Sequence, residues 1–102
     1  MKLGAALVAL AISTTPVLAQ STDTKKAELC RHTANVVRTI QNMRIDRVKR
    51  ADVEAKVIAQ ENPWPDVYNN QVPLLVPWVY DNPRENLKID LGAQIEEQCL
   101  AN

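Results

Sequence analysis

The chain has 102 residues, with 12 Lys or Arg balanced by 12 Asp or Glu, so its net charge of zero gives no bulk positive field for nucleic acid. Phe is absent and only two Gly occur, which argues against a sheet of tight hairpins. Ala, Leu, Val, Gln, Glu, Lys and Arg dominate and suit helices. The expected fold is all-α: three to four short helices in a small bundle closed by one disulfide.

Residues 1–19 read as a secretory signal peptide. Lys2 is a short positive lead, Leu3 to Ile12 an apolar run, and Pro16-Val17-Leu18-Ala19 ends in small residues, placing cleavage between Ala19 and Gln20. The apolar run is short for a membrane span and Ser13-Thr14-Thr15 closes it, so no stable membrane anchor is expected. Residues 20–102 then form a single helical domain, periplasmic or secreted.

Gln20 to Thr24 is a polar lead-in, and Asp23 or Thr24 can cap a helix that runs to about Met43 or Arg44. Leu29, Val36, Ile40 and Met43 recur at helical spacing, with Cys30 and Val37 beside them. Arg31, Arg38 and Gln41 fall on other angles and should face water. Arg44 to Lys49 reads as a connector before a second helix over about Arg50 to Gln60, with Val53, Val57 and Ile58 as its apolar set. With no Gly or Pro to enforce a break there, one continuous helix through Asp46 is the alternative.

Asn62-Pro63-Trp64-Pro65 must end that helix, because a residue before proline is pushed out of helical geometry. Val67, Val72, Leu75, Val76 and Val79 then return to helical spacing, interrupted by Pro73 and Pro77. One turn over Asp66–Gln71, followed by a helix that Pro73 opens and that ends near Tyr80, is the economical reading. Asp81-Asn82-Pro83 is the next stop. A last helix starts between Pro83 and Asp90 and runs to about Leu100, with Leu87, Leu91, Ile95 and Cys99 four residues apart. Gly92 costs helix stability but lets another helix come close.

Cys30 and Cys99 lie near the two ends of the domain. Export favours a bridge between them, the alternatives being two free thiols or a bond to another chain. Closing so long a loop contributes about 4 kcal/mol, and it would set the first and last helices antiparallel. Charge is segregated as well. Lys25, Lys26, Arg31, Arg38, Arg44, Arg47, Lys49, Arg50 and Lys56 crowd the first half of the domain, and Glu61, Asp66, Asp81, Glu85, Asp90, Glu96 and Glu97 the second. Either the halves attract each other on folding or the basic face meets an acidic partner.

The residues offer little to catalysis. Ser21 is the only serine of the domain and has no base beside it. His32 lies two residues from Cys30, which points the two side chains apart, and a metal needs more donors. A solvated surface histidine is expected, and neither a metal nor any other cofactor. Glu96-Glu97 and Asp52–Glu54 splay around a helix, and no Gly-rich loop cradles phosphate. No enzyme activity is expected.

Trp64, stiff between two prolines, is either a lid on the bundle or a preorganised aromatic anchor. Trp78 and Tyr80 cannot share a helical face, so one belongs to the core and the other is partly exposed. With Cys30-Arg31-His32-Thr33-Ala34-Asn35-Val36-Val37, Val72-Pro73-Leu74-Leu75-Val76-Pro77-Trp78-Val79-Tyr80 and Glu97-Gln98-Cys99-Leu100, the chain resembles small uncharacterised bacterial exported proteins, helical and bracketed by two cysteines. That resemblance implies the fold and export but no activity. In layout alone the chain is also similar to periplasmic acid-stress chaperones. The expected function is non-enzymatic binding of another protein, through Arg44, Arg47, Lys49, Arg50, Trp64 or Trp78. An acid-triggered chaperone is the alternative.

Overall fold

The computed structural model describes residues 2–102, with side chains from Asp23 onward. The signal-peptide expectation falls on residues 1–19, whose side chains lie outside the described ones. Four α-helices and no strand occur among the described residues: α1 Lys2–Ile45, α2 Arg50–Ala59, α3 Val72–Asp81 and α4 Leu91–Ala101. Short 3-10 helices precede α3 (Asp66–Gln71) and α4 (Arg84–Lys88). The all-α, disulfide-closed bundle is thus as expected. No helix start is capped at Asp23 or Thr24, however: no Gly or Pro interrupts the chain there, and α1 runs through both.

The break after α1 is real. Arg47 takes a positive φ of 66°, Val48 N–H donates to the Met43 carbonyl (2.9 Å) and Arg47 N–H to that of Arg44 (3.0 Å). This is a Schellman stop, with Arg where Gly is usual. Its hydrophobic seal is present too, since Met43 and Val48 both pack on the core. Two further stops share a device. Asn62 Nδ2 donates to the Val57 carbonyl (2.9 Å) and Asn82 Nδ2 to the Trp78 carbonyl (2.7 Å), so each side chain satisfies an orphan carbonyl of the helix it ends. A proline follows each asparagine and forbids continuation.

The Cys30–Cys99 disulfide is formed, with Cα atoms 5.6 Å apart and 69 residues of sequence between them. Helices α1 and α4 make the most extensive pairing in the bundle. They run antiparallel, because Cys30 meets Cys99 while Arg38 meets Asp90. Gly92 is what lets them approach: a Cβ there would sit 2.6 Å from the Ala34 carbonyl oxygen and 2.5 Å from Arg38 Cγ.

The other side of α1 carries α3, which in turn packs on α2. Between them lies a core dominated by valines (Val36, Val37, Val53, Val57, Val72, Val76, Val79) with Ile40, Leu91 and Trp64. Three apolar residues expected in it are instead exposed: Leu29, Ile58 and Val67. The 3-10 turn that covers this side of α1 meets it at His32 through Tyr68, which leaves Leu29 a turn beyond. Ile58 sits 100° around α2 from the buried Val57.

Gln41 corrects the reading of α1 most sharply. It is only 6% exposed, and all its polar atoms are used. Nε2 donates to the carbonyls of Ile89 (2.7 Å) and Leu87 (3.3 Å), while Oε1 accepts from the Leu91 amide (3.1 Å). Leu91 opens α4, so its amide is one of the donors a helix start leaves unpaired. Asp90 caps the next turn by accepting from the Ala93 amide at 3.0 Å.

Candidate functional site

The basic connector is mostly spent on the fold. The Arg44 guanidinium donates to the carbonyls of Val79 (2.6 Å) and Asn82 (2.7 Å), closing the C-terminal end of α3, and lies over the Tyr80 ring at 5.9 Å. Tyr80 Oη donates to the Val48 carbonyl at 2.7 Å, and burial pushes its hydroxyl pKa up against the smaller opposing pull of Arg44. Arg50 pairs with Asp81 at 2.9 Å. Arg47 and Lys49 are exposed and hold no ion pair among the described residues. Of the four basic residues expected to bind a partner, Arg44 is therefore structural, Arg50 is engaged with α3, and two remain outward.

Trp64 is also removed from the expected surface. It is 4% exposed, and its Nε1 donates to Asn69 Oδ1 at 2.9 Å. Its flanking prolines fold it back as a core residue, which satisfies its one polar atom locally. His32 is not a solvated surface histidine either. Its ring packs at 4.9 Å from that of Tyr68, and Nδ1 is enclosed without a hydrogen-bond partner. No group of three or more His, Cys, Asp or Glu able to hold a metal occurs among the described residues.

Opposite charges join the two halves of the chain. Arg38 pairs with Asp90 (3.1 Å) and Glu96 (3.8 Å) across α1 and α4, as Arg50 does with Asp81 across α2 and α3. The Ala93 amide, and after it Arg38, hold the Asp90 carboxyl below its ordinary pKa, outweighing the opposing effect of burial.

What stands apart is α3. Its sequence, VPLLVPWVYD, has one charge and is apolar all round, the pattern of a helix covered on every side. Here the cover is incomplete: Val72, Val76 and Val79 are buried and Leu75, Trp78 and Tyr80 pack against the core, while Leu74 is 75% exposed, the most exposed large apolar residue among those described. Val67, in the 3-10 turn just before, is 67% exposed. Pro77 and Trp78 are half-buried, Trp78 against the core. Spacing puts these residues in line, since 67 and 70 repeat at three and 70, 74, 77, 78 and 81 at three or four. Val67 and Leu74, flanked by the exposed parts of Pro77 and Trp78, therefore give an apolar stripe that leads toward the Arg50–Asp81 pair.

Trp78 was legible as a candidate, whereas Leu74 was missed. The signal for it is a helix too apolar to be amphipathic in a domain too small to surround it. Nothing in this stripe is a nucleophile or a base; its chemistry is that of desolvation and contact. Surface dips elsewhere are open, along Ala51, Ala55 and Ile58 of α2 and beside Arg38, Gln41 and Asp90.

No protein-family model matches the chain, and neither a curated protein nor a solved structure matches it. The fold and surface together define a small disulfide-closed helical domain that leaves one apolar helix face uncovered. Among the described residues, no helix is long and apolar enough to cross a membrane.

Proposed function

We propose that this chain is an exported, non-enzymatic protein-binding module that engages its partner through the outward face of α3. The observation that carries the reading is Leu74: a leucine held in solvent on a rigid helix, with a half-buried tryptophan one turn away. Monomeric proteins seldom leave such a stripe bare, and aromatic anchors flanked by apolar contacts are frequent hot spots. Arg47 and Lys49 add a polar rim at one end. Export is supported by the apolar segment before Ala19 and by a disulfide across the domain, a bond that persists in oxidising compartments.

A photo-crosslinking residue in place of Leu74, with one in place of Leu100 as control, tests the reading in the secreting cell. Adducts confined to position 74 are expected, and equal or absent labelling at the two positions overturns it. Mass spectrometry of the exported protein should find Gln20 at its N-terminus.

The acid-stress chaperone is a second reading, favoured by the Arg38 clamp on Asp90 and Glu96 that helps hold α4. It requires Trp fluorescence to change as acid protonates those carboxylates. A signal that stays flat as acidification is carried well below the ordinary carboxylate range, far enough to protonate the depressed Asp90 carboxyl, removes it.

A further inference from the structure

Helix α4 is held to α1 in two different ways along its length. Its first half carries non-covalent ties. Leu91 and Gly92 are buried, Gln41 Oε1 accepts from the Leu91 amide at 3.1 Å, and Arg38 pairs with Asp90 at 3.1 Å and with Glu96 at 3.8 Å. Ile95 packs on the core. Beyond Glu96 the character changes, for Glu97, Gln98, Leu100, Ala101 and Asn102 are all exposed. The disulfide from Cys99 fastens this end, together with the Lys26 ammonium, which donates to the main-chain oxygen of Asn102. The two halves of the bridge are unequally placed as well. Cys30 has no exposed surface, whereas Cys99 keeps part of its surface in solvent.

We propose that the bridge is a site of thiol–disulfide exchange entered at Cys99, and that its opening releases residues 97–102 from α1 while the rest of the domain stays folded. An incoming thiolate attacks the Cys99 sulfur and forms a mixed disulfide with it. The Cys30–Cys99 bond breaks, its electron pair leaves on the Cys30 sulfur, and water supplies the proton that makes Cys30 a thiol. No outside oxidant is consumed, since the attacking sulfur is oxidised as the Cys30 sulfur is reduced. Access helps decide which sulfur is attacked, and the half of the bridge that solvent reaches is Cys99. Once the bond is gone, the end of α4 keeps an exposed hydrogen bond to Lys26, which water can replace. A terminal turn with its side chains in solvent then opens at little cost. The first half of α4 stays, because the Gln41 bond, the Asp90 cap and the buried Leu91 owe nothing to the sulfurs. Cys30, freed of its cover, is presented as a thiol, whatever α3 binds.

The test treats the oxidised protein under native conditions with excess glutathione, then with iodoacetamide, and maps the cysteine peptides by mass spectrometry. Molecules that carry one of each group should hold glutathione on Cys99 and the alkyl group on Cys30. Their Trp fluorescence should remain that of the untreated protein, because Trp64 stays buried. Hydrogen exchange of this trapped form should find the amides of Gln98 to Ala101 close to the free-peptide rate and the Leu91 amide still slow. Glutathione found chiefly on Cys30 would overturn the entry point and with it the proposal. So would a bridge that glutathione opens only in urea, or a Cys30 thiol that iodoacetamide reaches only there. An emission spectrum matching the urea-unfolded chain would overturn it too, since the opening would then be global.

Discussion

Replacing Gln41 with Leu removes a polar hub and puts in its place a side chain of similar size with no polar atom. Three hydrogen bonds go, two from Nε2 to the Leu87 and Ile89 carbonyls and one from the Leu91 amide to Oε1. At about 1 kcal/mol net apiece their sum is near 3 kcal/mol. The shares are unequal. Ile89 is exposed and Leu87 half-exposed, so those carbonyls can turn to water, whereas Leu91 is fully buried and its amide cannot. The expected loss is therefore about 2–3 kcal/mol, or roughly 10–20 °C in Tm for a domain of this size. Urea unfolding followed by Trp fluorescence and far-UV circular dichroism reads it, and hydrogen exchange should find the Leu91 amide newly labile. Gln41→Glu sharpens the test. It keeps an acceptor for Leu91 but points a carboxylate at two carbonyl oxygens, so its ionised form is disfavoured in the folded state. Its penalty should grow as pH rises above about 4, the unfolded carboxyl range, and shrink on acidification. A Gln41→Leu protein within about 0.5 kcal/mol of wild type, the scatter of ordinary surface changes, would refute the role assigned to Gln41.

Gly92→Ala should destabilise by about 1–3 kcal/mol despite alanine's better helix propensity, because the Ala34 carbonyl it meets is backbone and cannot swing aside as Arg38 can; a thermal melt decides. Arg47→Gly should stabilise by about 1 kcal/mol, read as a higher urea midpoint, since the left-handed conformation there costs a side chain and not glycine. Asp90, with its folded pKa lowered, contributes stability that is fully present above its unfolded value near 3.9 and fades as pH falls through the lower folded one; Asp90→Asn should flatten the stability profile below about pH 4 and leave its slope unchanged at pH 6–8. Reducing Cys30–Cys99 should cost about 4 kcal/mol, visible as a large drop in Tm that reverses on reoxidation.

Much of the architecture is written locally. The helix stripes, the Asn-Pro stops and the pair of cysteines bracketing the domain each act through neighbours in sequence, so α2, α3 and α4 fall close to their expected limits. Opposite charge in the two halves is likewise legible, and it becomes the Arg38 and Arg50 ion pairs. What hydropathy periodicity hides is that α1 is central. It is covered on two sides, Cys30, Ala34, Val37 and Gln41 turning toward α4 and Val36, Ile40 and Met43 toward the rest of the core. A single apolar stripe describes only the second arc, so Gln41 reads as solvated. Its burial depends on carbonyls nearly fifty residues away, and no local pattern announces that. Arg44 eludes reading for the same reason, its partners being the main-chain oxygens of α3. Trp64 could go either way from sequence, and Asn69, five residues on, supplies the acceptor that brings it inside.

The uncovered face of α3 is best understood against how the rest of the domain is held. One flank of α1 is closed covalently, with Gln41 and the Arg38 ion pairs supplementing the disulfide. The other depends on a core of β-branched valines and one tryptophan, without a phenylalanine. In so small an interior each apolar side chain is valuable inside, because the fraction of surface that can be buried is low. Trp78 is partly drawn into that interior, but Leu74 on the outer side of α3 adds little to it, and a polar residue there would serve folding equally well. Folding therefore gives no reason for the apolar character of Leu74. Contact with another surface does, and since the helix backbone is fixed from behind by Val72, Val76, Val79 and the Arg44 cap, that contact is made by side chains already ordered.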